Sequence, residues 1–164
     1  MKLFFQILLI LGFASASQAQ EENSQINQVI DAWHEAASEA NFENYFGLMT
    51  EDSHFIGTDA SENWSFEEFK SFSKPYFNKG KAWTFSPVER HVYISSAQNF
   101  AWFDELLNSD HMGICRGSGV LVLKDGQWKI QHYVLSIVVP NELVKNLNES
   151  KSEHDQNFMK NQQN

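Results

Sequence analysis

WKIQHYVLSIVVP, residues 128–140, is rich in β-branched and aromatic residues and reads as one long strand. Lys124, Asp125, Gly126 and Gln127 precede it, and Asp-Gly between alternating apolar positions is the strongest local sign of a two-residue hairpin turn. A regular hairpin there sets Lys124 opposite Gln127, Leu123 opposite Trp128 and Leu121 opposite Ile130. It continues with Gly119 opposite His132, Gly117 opposite Val134 and Cys115 opposite Ser136. Side chains alternate across a strand, so the last five pairs share one face, apolar except for His132 and Ser136. The other face carries Arg116, Ser118, Lys129, Gln131 and Tyr133 among Val120, Val122 and Leu135, a mixture suited to water or a partner subunit. His132, facing a glycine on the core side, has room beside it and is the first candidate for a site.

Working outward, the second half of the chain is predicted to be strand after strand, over residues 82–86, 88–95, 100–107, 114–124 and 127–138, with Pro87 separating the first two. The first half is helical. Ile26, Ile30, Trp33, Ala37 and Ala40 recur at helical spacing, and the small residues allow close approach to a sheet. His34, one position beyond Trp33, is read as a solvated surface histidine. Asn41 caps a second helix with Phe42, Tyr45, Phe46 and Met49 on one stripe, and a short strand follows at residues 54–58. Ser65 and Glu68 form a capping box with Trp64 and Phe69 as a hydrophobic staple, so a third helix begins at Phe66 and ends or kinks at Pro75. Helices first and an antiparallel sheet afterwards predict an α+β fold.

At the ends the composition changes. Residues 1–19, MKLFFQILLILGFASASQA, have one lysine, an apolar core and small residues at the close, the pattern of a secretory signal peptide cleaved before Gln20. An exported, periplasmic or extracellular protein is expected, with no membrane span because no apolar run is long enough. Residues 20–144 make one ordinary domain. Residues 145–164 are polar and are expected to be a disordered tail. With 21 acidic against 12 basic residues and a net charge of −9, binding to nucleic acid is disfavoured. The single Cys115 cannot form an internal disulfide and is expected to be a buried, inert thiol.

Several short motifs in order carry a resemblance. Ala101-Trp102-Phe103-Asp104-Glu105, Cys115-Arg116-Gly117-Ser118-Gly119-Val120-Leu121-Val122, Trp128-Lys129-Ile130 with His132-Tyr133 and Leu135-Ser136, and Pro140-Asn141-Glu142 resemble the SnoaL-like branch of the nuclear transport factor 2-like (NTF2-like) superfamily. Phe55-Ile56-Gly57-Thr58 and Trp64 before the third helix fit the same pattern. The resemblance implies a cone in which a strongly curved, mostly antiparallel sheet wraps around the first helix. It also implies a pocket in the mouth of the cone and a homodimer through the outer sheet face. Members include isomerases, cyclases and dehydratases, so the fold alone names no chemistry.

The resemblance turns His132 into the pocket and favours Asp104 over Glu105 as the inward carboxylate, with Trp102 in phase. A carboxylate in an aromatic cavity would have its pKa raised by desolvation and exchange protons near neutrality. The alternatives are a hydrogen-bonded core histidine and a carboxylate paired with Arg116. Val134, where relatives tend to carry His or Asn, removes one polar group from such a site. No zinc-binding His-Glu-x-x-His, cysteine pair, phosphate-cradling loop or serine elbow is present, so neither metal nor cofactor is expected.

The expected function is therefore binding of a small apolar or amphipathic molecule, with Trp33, Tyr45, Trp83, Trp102, Asp104, His132 and Ser136 lining the cone. One alternative is a metal-independent acid–base enzyme using Asp104 and His132. The other is a non-catalytic dimerising accessory module.

Overall fold

Asp125 and Gly126 both take left-handed backbone angles, φ 52° and 77°, the pair that a type I′ hairpin turn requires. Lys124 faces Gln127 across it as expected. The computed structural model describes residues 2–162, with side chains described from Gln20 onward. The expected leader falls on residues whose side chains lie outside that description.

Among the described residues, four α-helices and six strands follow in the order α1 (Lys2–Ser38), α2 (Phe42–Gly47), β1 (Met49–Ile56), β2 (Asn63–Ser65), α3 (Phe66–Asn78), β3 (Ser86–Ile94), β4 (Phe100–Ser109), β5 (Gly113–Lys124), β6 (Gln127–Ile137) and α4 (Val144–Asn161), with one 3-10 turn at Asn141–Leu143 before α4. The strands form one sheet in the order β2-β1-β6-β5-β4-β3. All its pairings are antiparallel except β1 with β6. The helices lead and the sheet is curved and mostly antiparallel, which is the α+β cone. Ile26, Ile30, Trp33, Ala36 and Ala37 of α1 are buried against it, the apolar stripe that the helical spacing requires.

The helix starts behave as local chemistry dictates. The Asn41 side chain accepts the Asn44 backbone N–H at 3.2 Å. Glu68 accepts from the Ser65 backbone N–H and hydroxyl at 2.9 and 2.6 Å, and Trp64 stacks on Phe69 with ring centroids 5.7 Å apart. Pro75 lies inside α3, which runs on to Asn78. One local expectation is corrected. Residues 82–85 form no strand; Trp83 and Phe85 pack half-buried on the core, so tertiary contact overrides their β propensity. The polar stretch expected to be a disordered tail falls within α4, none of whose residues is buried.

The largest correction lies in the hairpin. Leu121 faces Ile130, but Val120 faces His132, so Gln131 is an extra residue on β6. This β-bulge inverts the strand's phase from there on. Tyr133 and Leu135 turn inward and are buried, while His132 and Ser136 turn to the outer face. Gly119 consequently faces Tyr133 and Gly117 faces Leu135. On β4, Ala101, Phe103, Glu105 and Leu107 are the inward residues. Cys115 is buried and unpaired.

Candidate functional site

A buried polar cluster sits between α1 and the sheet, centred on Glu105. The β4 pleat points this carboxylate inward, and its side chain has no exposed surface. An isolated buried carboxylate is costly, so the surrounding elements supply donors. Glu105 Oε1 lies 2.8 Å from His34 Nε2 and accepts the Tyr133 hydroxyl at 3.0 Å. Oε2 accepts Arg90 Nε at 2.9 Å, and Arg90 Nη2 lies 2.9 Å from the same oxygen without hydrogen-bond alignment. Arg90 Nη1 donates to Asp31 at 2.7 Å and to the Asn27 side chain at 3.3 Å, tying β3 to α1.

Burial by itself raises the Glu105 pKa, but His34 and Arg90 outweigh it and hold the carboxyl below its ordinary range. Tyr133 is pushed well above the usual phenol by burial, reinforced by the Glu105 charge. The phenol therefore remains a donor and Glu105 remains ionised. With donors on both oxygens and a lowered pKa, Glu105 is a weak proton acceptor; the cluster's chemistry is positioning.

Two spaces flank the cluster. One is a nearly apolar, partly open cleft of about 140 Å³, walled by Phe55, Trp64, Phe69, Trp83, Met112 and Leu135, with Thr58 and Glu62 at its edge. Deeper in, the cone is filled by its own rings: Trp33 stacks on Tyr45 at 4.9 Å and meets Tyr133 edge-on at 4.8 Å. The second space is an open groove of about 750 Å³ between α1 and the segment from Thr84 to Arg90, lined about equally by polar and apolar surface. Phe85 borders both.

Of the residues proposed from sequence, only Trp83 lines the cleft. Trp33 and Tyr45 lie inside the cone as packing, each 1 % exposed. Trp102, Asp104, His132 and Ser136 stand on the outer face instead. Trp102 is 44 % exposed and stacks on Tyr93 at 5.6 Å. Asp104 lies 3.2 Å from His91 Nδ1 in an exposed pair, and Arg116 is exposed rather than paired with it. Trp102 and Asp104 do share a phase, but it is the outward one. His34, expected in solvent, is 5 % exposed.

The sequence does contain a signal for the missed cluster. Asn27, Asp31 and His34 recur at spacings of four and three, a polar stripe running beside the apolar one on α1. Glu105, Arg90 and Tyr133 complete it from three different strands.

A family model described as a SnoaL-like domain matches residues 26–140. The chain belongs to the SnoaL-like family. Solved structures agree on the fold. An NTF2-like protein of unknown function from Pseudomonas putida superposes with a TM-score of 0.61 at 15 % identity, covering 73 % of this chain and 88 % of that one. A protein of the NTF2-like family from Streptomyces avermitilis gives 0.64 at 15 % identity, over 74 % and 99 % of the two chains. An NTF2-like protein from Cytophaga hutchinsonii gives 0.59 at 17 % identity, over 71 % and 98 %. At these identities the likeness concerns the fold alone. Comparison with curated protein sequences finds no match. Among the described residues of this SnoaL-like protein, no cluster of three or more His, Cys, Asp or Glu could hold a metal ion, and no helix is long and apolar enough to cross a membrane.

Proposed function

We propose that this SnoaL-like protein is an exported binder of a small apolar molecule, about the size of one aromatic ring, held in the mouth of its cone. The observation that carries this is the 140 Å³ cleft walled by aromatic rings with Met112 and Leu135. An apolar space of roughly 150 Å³ is large enough for benzene, and aromatic walls offer a large apolar area for it to bury. Binding is favoured over proton transfer because Asp104 and His132 are remote from the cavity and Glu105 is saturated with donors.

Methyl-labelled methionine reports on this directly. On titration with toluene, the Met112 methyl resonance should shift saturably while buried Met49, outside the cavity, stays in place. Leu135→Phe, which fills the space, should abolish the shift. An unmoved Met112 up to the solubility limit of toluene would refute the proposal.

Export rests on residues 1–19. Intact-mass measurement on the secreted fraction should give a chain beginning at Gln20, and recovery solely of full-length chain from the cytoplasm would overturn it.

A homodimer through the outer sheet face is part of the same proposal, with its composition revised by the bulge. Tyr93, Phe100 and Trp102 are each more than 40 % exposed there, beside half-buried Val120, Val122 and Val134, more apolar surface than an isolated sheet face usually presents. Tyr133 is no longer among its residues. Sedimentation at tens of micromolar should show a dimer, and Trp102→Glu should give a monomer that still folds. A wild-type monomer under those conditions would dismiss the interface.

A further inference from the structure

A row of side chains crosses the outer face of the sheet from strand to strand. Tyr93 of β3 stands beside Trp102 of β4, Trp102 beside Val120 of β5, Val120 beside His132 of β6, and His132 beside His54 of β1. All five point away from the cone, since the next residues on β1 and β6, Phe55 and Tyr133, are buried inside it. The row is apolar as far as Val120 and then ends in two imidazoles. Neighbouring strands lie about 4.8 Å apart, so His132 and His54 leave the sheet next to each other. The extra residue Gln131 is what brings His132 onto this face.

Among the described residues, neither ring forms a side-chain hydrogen bond or ion pair, whereas His91 on the same face is held by Glu89 and Asp104. Asp52 of β1 and Glu68 of α3 lie close enough to His54 to feel its charge, and both are exposed. Lys124 of β5 stands near Asp52, and Lys129 of β6 is tied to the Gly47 carbonyl at 2.9 Å. His132 has Val120 on one side and His54 on the other, with no carboxylate beside it in the row. We propose that His54 and His132 make the outer-face dimer sensitive to protons, associated while the rings are neutral and driven apart when both are charged. This rests on the homodimer proposed above, whose apolar patch the row extends. Imidazole changes charge between pH 5 and 8. Burial between subunits removes the water that screens two adjacent cations, and a twofold interface doubles them. The effect runs against the overall charge, because acidification reduces the net charge of −9 and so by itself favours association.

Sedimentation velocity at pH 8 and at pH 5.5 tests this, since carboxylates of ordinary pKa near 4 stay ionised at both. The dimer dissociation constant should rise roughly ten- to a hundredfold at pH 5.5, as expected for like charges a few ångströms apart near a protein surface. Far-UV circular dichroism should be the same at both. The double variant His54→Gln with His132→Gln keeps polarity without a titrating proton and should remain a dimer at both pH values, while His91→Gln should keep the wild-type response. A dimer equally tight at both pH values, a double variant that dissociates as the wild type does, or dissociation accompanied by unfolding would each overturn the inference and leave the dimer standing. A wild-type monomer at pH 8 would overturn the dimer and the proton sensitivity together.

Discussion

Glu105→Gln is expected to lower the stability of the folded protein by about 3–5 kcal/mol, the usual cost of breaking a buried ion pair by removing one partner. The carboxylate has no exposed surface and receives Arg90, His34 and Tyr133. A glutamine amide keeps the shape but presents an NH2 to at least one of these donors, and Arg90 retains only Asp31 as a charged partner. Urea denaturation at neutral pH measures the loss. The same substitution should also flatten the acid limb of the stability profile. Because the folded-state pKa of Glu105 lies below its ordinary 4.5, its contribution is fully present above that value and disappears as pH falls through the lower, folded-state value. The wild type should therefore lose more stability than the variant on acidification below about pH 4.5. A variant as stable as wild type at neutral pH, or one with the same acid dependence, would remove Glu105 from the centre of the fold.

Gly119→Ala is the second large effect, expected to cost about 3 kcal/mol, toward the upper end of what overpacking a tight core exacts. A Cβ at this position would stand 2.6 Å from the His132 carbonyl oxygen and 2.7 Å from the Phe103 ring. The first is backbone held in the ladder just past the bulge, and it cannot rotate away. Gly117→Ala would press on the Tyr133 hydroxyl and on Glu105 Oε1, so it acts on the polar cluster rather than on the ladder. In thermal melts both variants should fall well below wild type. Only Gly117→Ala should also change the acid dependence just described, since it alone disturbs the Glu105 hydrogen bonds. Gly119→Ala melting with wild type would mean that the bulged register is not the one populated in solution.

These two positions also mark the boundary between what could be read along the chain and what could not. Helix starts, the type I′ turn, the apolar stripe of α1 and the order of elements are set within a few residues by capping, backbone angle and periodicity. Each follows from Ser65 with Glu68, from Asp125 with Gly126, or from Ile26, Ile30 and Trp33. The SnoaL-like cone was legible because such local signals occur in one order.

The facing of side chains beyond Gln131 was not legible. A strand of period two loses its phase with one extra residue, and the register counted from the Asp125-Gly126 turn assigns the more apolar pair, Tyr133 and Leu135, to the outer face. The choice was made at a distance, where Gly117 and Gly119 of β5 leave the space that the Tyr133 and Phe103 rings occupy. On β4 the ambiguity was the same. Trp102, Asp104 and Leu106 alternate with Phe103, Glu105 and Leu107, and either set reads as an inward face. Only with Arg90, His34 and Tyr133 brought from three other elements does burying Glu105 cost less than burying Asp104. Local chemistry along the chain determined the elements and their order. Which carboxylate and which histidine went inside depended on contacts far apart in the chain, such as His34 with Glu105, 71 positions away, because a buried charge is tolerated only where its partners converge.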